Sequence, residues 1–119
     1  MKKSTSIDLV TEADYLCETV LCDHIRNNFP KDTIISEESN NSSLIPRHDD
    51  GFCWILDPID GTASYANRIP AWAVSIGLYF ATDVCGAIVF APALQECFRA
   101  EKGQGAFLNE TPISINHQI

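Results

Sequence analysis

The segment from Phe52 to Thr62 constrains the fold of this 119-residue chain more than any other segment. The run from Phe52 to Leu56 is apolar, aromatic and partly β-branched, which predicts a short buried strand. It is followed at once by two carboxylates, a proline, a glycine and a hydroxyl, in the order Asp57-Pro58-Ile59-Asp60-Gly61-Thr62. Because proline fixes its own φ and removes a backbone donor, we expect the strand to end at Leu56 in a stiff polar turn.

That turn has the chemistry of a site for a cation and an anion. Asp57 and Asp60 are three residues apart, so a turn directs both at one point, and the Ile59 carbonyl is available as a further ligand. Mg²⁺ prefers several oxygen ligands. Gly61 permits close approach to the backbone, and Thr62 can cap a helix whose N–H groups would hold an anion. An ordinary turn explains either aspartate alone, but the whole hexapeptide after an apolar strand favours a site.

A second candidate residue lies in the first predicted helix. Apolar residues at helical spacing predict a helix that starts at Thr11 and ends at Phe29-Pro30. Asp14 then falls in its first turn, where it either supports a cap at Thr11 or serves a site. Residue chemistry alone favours neither interpretation.

A third candidate follows a predicted strand at Thr33–Ser36. Glu37 and Glu38 come directly after it, and neighbouring side chains of an extended chain point to opposite sides. We therefore expect only one of them to face a site, and residue chemistry does not choose between them. The segment from Asn40 to Gly51 is polar and rich in turn residues, which predicts a surface loop.

The remainder predicts a short helix and several strands. The helix covers Ala63 to Asn67 and is stopped by Pro70. The predicted strands are Ala73–Phe80, Cys85–Phe90, Gln95–Ala100, Ala106–Leu108 and Pro112–Ile115. Turn residues separate them, and Lys102–Gly105 is one such turn. Two helices on a mainly antiparallel sheet define an α+β domain.

Composition disfavours some partners. The net charge of −8 and the pI of about 4.6 disfavour binding to nucleic acid or to an anionic membrane. No apolar run is long enough to span a bilayer, and the N-terminus has no signal-peptide pattern. The five cysteines are odd in number and lack a paired spacing, so we expect reduced thiols in a cytoplasmic protein without zinc.

The hexapeptide from Asp57 to Thr62 resembles the signature of the inositol monophosphatase family, which comprises Mg²⁺-dependent, lithium-sensitive phosphomonoesterases. Further blocks similar to that family occur in the family's order and cover nearly the whole chain; they are Asp8–Asp14, Ile35–Ser39, Ile69-Pro70 followed by Ala73–Leu78, and Lys102–Asn109. The resemblance implies that the α+β domain is one half of a layered αβαβα sandwich.

The same resemblance implies a role for each candidate residue. The implied metal ligands are Glu37, Asp57, Ile59 and Asp60. The implied catalytic residues are Glu37 and Thr62, which orient the attacking water, and Asp14, which lies near the metal site. The residues that line the phosphate are then Glu37, Ile59, Asp60, Gly61 and Thr62. The implied cofactor is Mg²⁺, although Mn²⁺ accepts the same oxygens, and the implied partner is a small phosphorylated substrate.

The chain departs from the family's pattern in extent. Family members continue into a second portion that carries another aspartate ligand and most contacts to the inositol ring. We therefore expect residues 1–119 to form a single, truncated N-terminal phosphatase domain that pairs with a C-terminal half or forms a homodimer. Two alternatives stay open: a metal- or phosphate-binding remnant without turnover, and an enzyme related to bisphosphate nucleotidases or fructose-bisphosphatases. The segment from Ala63 to Pro70 is more similar to the inositol monophosphatase branch.

Overall fold

The computed structural model describes residues 5–36 and 51–115, with side chains from residue 12 onward. The order of helices and strands is α1 Thr5–Asn28, β1 Thr33–Ser36, β2 Phe52–Asp60, α2 Thr62–Ala66, β3 Ala73–Phe80, β4 Asp83–Ala91, β5 Glu96–Glu101, β6 Gly105–Leu108 and β7 Thr111–Ile113, with a 3₁₀ turn at Pro92–Leu94 before β5. These elements confirm the predicted α+β class.

The seven strands form one sheet in chain order. β1 and β2 are parallel, and every later neighbour is antiparallel. Short turns explain this order, because antiparallel neighbours need only a tight connection whereas parallel strands need a long one. The predicted hairpin is confirmed, with β3 and β4 joined at residues 81–82. The connection from β1 to β2 is mostly residues 37–50, so the predicted loop lies outside the described residues except for Gly51.

The core lies where α1 packs on the first strands of the sheet. Cys22 and Ile25 of α1 contact Leu56 of β2, whose side chain is only 1% exposed. Partly buried side chains surround this cluster, namely Leu21, Ile34, Trp54 and Ile76. Full burial of a leucine stabilises a fold by about 2 kcal/mol, so this contact holds α1 against the strand that carries the hexapeptide.

The described start of α1 differs from the sequence prediction. The helix begins at Thr5 rather than Thr11, because Thr5–Val10 contains neither glycine nor proline and nothing in it stops a helix. Thr11 is therefore inside the helix and is not its cap. The predicted end is confirmed: the helix stops at Asn28, and Pro30 follows. Among the described helices, none is long and apolar enough to cross a membrane.

Candidate functional site

The strand that carries the hexapeptide is longer than predicted. The expectation that it ends at Leu56 is wrong, because β2 stays paired with β3 as far as Asp60. Asp57 lies opposite Ser75, and Asp60 lies opposite Ala73. The register shifts between these two pairs, which marks a β-bulge. Pro58 lies within the bulge, where the ladder does not require its missing N–H.

The bulge places Asp57 and Asp60 on the same face of the sheet. In a regular strand, residues three apart point to opposite faces. Ser75 and Ala73 are two apart on β3, so they share a face, and so do the aspartates that pair with them. Asp57 is half-buried, with its Oδ1 atom shielded from solvent, whereas Asp60 is exposed. The Asp57 carboxylate is therefore partly buried, and the Asp60 carboxylate is accessible to solvent.

The backbone between the two aspartates is buried and tied to α1. Pro58 is less than 2% exposed and Ile59 is 6% exposed. The Cys17 thiol donates a hydrogen bond to the Pro58 carbonyl oxygen, with an Sγ–O distance of 3.5 Å. Burial, and to a smaller degree the Asp14 carboxylate, raises the pKa of the Cys17 thiol, so it stays protonated and able to donate.

Helical spacing and burial together locate Asp14. Asp14, Cys17 and Glu18 are spaced so that they share one face of α1. Asp14 is 4% exposed and Glu18 is 7% exposed, which is unusual for carboxylates. The capping interpretation of Asp14 is excluded, because the residue lies in the helix interior. Sequence reasoning missed the buried Glu18, although its position four residues after Asp14 was an available signal.

Gly61 connects β2 to α2 and has a left-handed conformation, with φ +92°. It is the N-cap of α2, and no side chain caps this helix. The expectation that Thr62 is the cap is therefore wrong: Thr62 is already the first helical residue. The Gly61 carbonyl oxygen accepts a hydrogen bond from the Tyr65 N–H at 3.0 Å. A Cβ at Gly61 would lie 2.8 Å from the Ala71 carbonyl oxygen. Both the positive φ and this close approach therefore require glycine here.

Glu37 and Glu38 lie outside the described residues. The last described residue before them, Ser36, pairs with Leu56, which directly precedes Asp57. Because β1 and β2 are parallel, their carboxyl ends meet at the same edge of the sheet. Ser36 is 1% exposed, and its hydroxyl oxygen has no hydrogen-bond partner within the described part of the chain.

The oxygens at the bulge are of the type that a hard divalent cation prefers. They comprise the carboxylates of Asp57 and Asp60 and the carbonyl of Ile59. Within residues 12–36 and 51–115, no three histidine, cysteine, aspartate or glutamate side chains come close enough together to hold a metal ion. The described residues thus fit one part of a Mg²⁺ ligand set, and Glu37 is the further carboxylate that the resemblance implied.

This α+β domain carries Asp57 and Asp60 on one face of a bulged strand, which leads through Gly61 into α2. The model of the inositol monophosphatase family matches residues 1–118, and the chain belongs to that family.

Individual relatives agree with this assignment. The chain is 38% identical to the inositol-1-monophosphatase of Synechocystis over 115 residues, which are 97% of this chain and 39% of that protein. It is 40% identical to the Nus factor SuhB of Escherichia coli over 104 residues, which are 87% of this chain and 38% of that protein. The solved inositol monophosphatase of Anabaena superposes with a TM-score of 0.82 at 37% identity, covering 92% of this chain and 42% of that one. The chain thus spans about two fifths of the length of these relatives.

Proposed function

We propose that this chain is the metal- and phosphate-binding part of an inositol monophosphatase-type enzyme that hydrolyses a phosphate monoester. The observation that carries the proposal is the common face of Asp57 and Asp60, reached through the bulge and followed directly by the Gly61 turn. Membership of a phosphatase family supports it.

The proposed metal ligands are oxygens of four residues. Asp57 and Asp60 contribute carboxylates from one face of β2, and Ile59 contributes its carbonyl oxygen. Glu37 contributes a further carboxylate, since it follows the residue that pairs with Leu56. A bound Mg²⁺ or Mn²⁺ would lower the pKa of a water molecule and offset the charge of the phosphate and of the leaving alcohol oxygen.

The proposed phosphate site is formed by residues 59–62 together with Glu37. Gly61 contributes through its left-handed turn, in which the missing Cβ leaves room for the backbone of Ala71 and Trp72. Glu37 and the Thr62 hydroxyl hold the attacking water in line with the ester bond. Asp14 lies on α1, as does Cys17, whose thiol donates to the Pro58 carbonyl oxygen. The Asp14 carboxylate adds negative charge near the bulge and helps to orient the residues there.

The substrate that the relatives favour is an inositol monophosphate, after the name of the Synechocystis relative. A binding module without turnover is a second candidate, favoured by the relative that is named a Nus factor. A related enzyme acting on bisphosphates is distinguished by the substrate that it hydrolyses. A panel of inositol 1-phosphate, a bisphosphate nucleotide and fructose 1,6-bisphosphate separates these activities.

Phosphate release from inositol 1-phosphate tests the proposal, measured with Mg²⁺ and with a chelator. The wild-type chain is compared with Asp57→Asn and with Asp83→Asn, which removes the same charge from a side chain 74% exposed at the opposite end of the sheet. The proposal expects Mg²⁺-dependent release that Asp57→Asn abolishes and Asp83→Asn preserves. Mg²⁺ binding by the folded chain without any release supports the binding module instead. Equal rates in both variants contradict the proposed ligand set.

A further inference from the structure

The segment between α2 and β3 folds back over the Gly61 turn. It is bonded to α2, because the Ile69 N–H donates to the Ser64 carbonyl oxygen at 2.8 Å and the Arg68 N–H donates to the Tyr65 carbonyl oxygen at 3.2 Å. The segment then enters β3 at Ala73, the residue that pairs with Asp60. A short stretch of chain therefore connects the helix after the turn with the strand opposite Asp60.

Trp72 contacts the turn at two places. Its Cα and Cβ lie beside Gly61, since a Cβ on that glycine would be 3.3 Å from the Trp72 Cα and 3.4 Å from the Trp72 Cβ. Its ring meets the Tyr65 ring edge-on, with centroids 5.0 Å apart and an interplanar angle of 88°. This is a favourable geometry for two aromatic rings.

The two contacts reach Gly61 and the helix that follows it. Tyr65 is the residue whose N–H donates to the Gly61 carbonyl oxygen. Trp72 precedes Ala73, the partner of Asp60, and it lines a recess of about 280 Å³ together with Asp60 and Gly61. A displacement of the Trp72 ring therefore acts on the helix bonded to Gly61 and on the strand beside Asp60.

We propose that Trp72 is a positioning residue that holds Asp60 and the Gly61 turn in place for the cation and the phosphate. The proposal rests on the proposed function for the identity of the ligands. It assigns no contact between Trp72 and the substrate. The ring acts through Tyr65, whose N–H is bonded to the Gly61 carbonyl oxygen.

The experiment compares Trp72→Ala and Trp72→Phe with the control Phe80→Ala. Phe80 also makes an aromatic pair, with Phe52 at 5.1 Å between centroids, but it lies at the other end of β3. Two quantities are measured on each folded chain. The first is the hydrogen-exchange rate of the Tyr65 amide, and the second is the affinity for Mn²⁺, which is determined from the paramagnetic signal of the free ion. The first reports on the turn whether or not a metal binds, and the second reports on the ligands.

In Trp72→Ala we expect the Tyr65 amide to exchange about fivefold faster and Mn²⁺ to bind about fivefold more weakly, the magnitude expected for the loss of an edge-to-face pair. Trp72→Phe restores both values because it keeps an aromatic ring, and Phe80→Ala changes neither. Unchanged exchange and affinity in Trp72→Ala overturn the inference, as does an equal effect of Phe80→Ala. If the wild-type chain binds no Mn²⁺, the proposed function fails, and the Tyr65 exchange rates alone decide whether Trp72 holds the turn.

Discussion

Asp57 and Asp60 lie on the same face of β2, although they are three residues apart in an extended strand. The bulge between them, with Pro58 and Ile59 buried inside it, produces this arrangement. Without the bulge, normal alternation would send one carboxylate to each face. The pairing of these aspartates with Ser75 and Ala73 is thus the structural basis of the proposed metal site.

Substitution of Gly61 tests the close packing of the turn. Gly61→Ala brings a Cβ to 2.8 Å from the Ala71 carbonyl oxygen and also forces a non-glycine residue to φ +92°. We expect the free energy of unfolding to fall by about 2–4 kcal/mol, as a combination of backbone strain and overpacking. Urea denaturation measures this loss.

Gly103→Ala is the matched control for that experiment. Gly103 also has a positive φ, of +81°, but no atom lies within 4 Å of an added Cβ. It therefore reports the backbone strain alone, of about 1 kcal/mol. Equal losses for the two substitutions would contradict the close contact between Gly61 and Ala71.

The strands were predictable because alternation and turn residues are local properties of the sequence. The hairpin of β3 and β4 and the short strand Thr33–Ser36 are examples. The bulge was not predictable, because the strand opposite decides whether Asp57 and Asp60 remain paired. For the same reason, a turn was expected after Leu56 where the strand in fact continues.

Parts of the candidate site depend on contacts that sequence patterns do not show. Asp14 looked like a residue near a helix start, but the helix extends back to Thr5 and Asp14 is buried within it. Thr62 looked like a cap, but the left-handed conformation of Gly61 starts α2 without a side-chain cap. The role of Glu37 stays a prediction that follows from the family resemblance.

The Asp32 carboxylate is predicted to stabilise the start of β2. It accepts a hydrogen bond from the Trp54 indole N–H at 2.9 Å and another from the Phe52 backbone N–H at 3.4 Å. Asp32→Ala leaves the half-buried indole donor unsatisfied, and we expect a loss of about 1–2 kcal/mol in the free energy of unfolding. Asp32→Asn keeps one acceptor oxygen and should lose less. Equal stability of Asp32→Ala and the wild-type chain would contradict this role.

The pH dependence of stability is predicted from three thiols. Burial raises the pKa of Cys17, Cys22 and Cys53, and the carboxylates Asp14 and Asp32 add a smaller increase at Cys17 and Cys53 respectively. The unfolded chain releases these protons above about pH 8.5, while the folded chain still holds them. The contribution of these thiols to the free energy of unfolding is therefore complete below that pH. It is lost as the pH rises through the pKa values that the thiols have in the folded chain.

Urea denaturation between about pH 7 and 10 measures this effect, since unperturbed thiols titrate within that range. Replacing Cys53 by alanine removes one contributing thiol, so the decline in stability should become shallower, whatever the variant's stability at pH 7. A decline of the same slope in Cys53→Ala would contradict the assignment of the effect to that thiol.

The most direct test of the central claim is the affinity of the folded chain for Mn²⁺, measured for the wild type, Asp57→Asn, Asp60→Asn and Asp83→Asn. All three substitutions remove one negative charge, but Asp83 lies at the opposite end of the sheet, 4.0 Å from Lys102. If the bulge presents a pair of metal ligands, Asp57→Asn and Asp60→Asn each weaken binding by more than about tenfold, the scale of losing one charged oxygen ligand, and Asp83→Asn leaves it unchanged. Equal affinities in all four chains, or an equal loss in all three variants, would contradict the account.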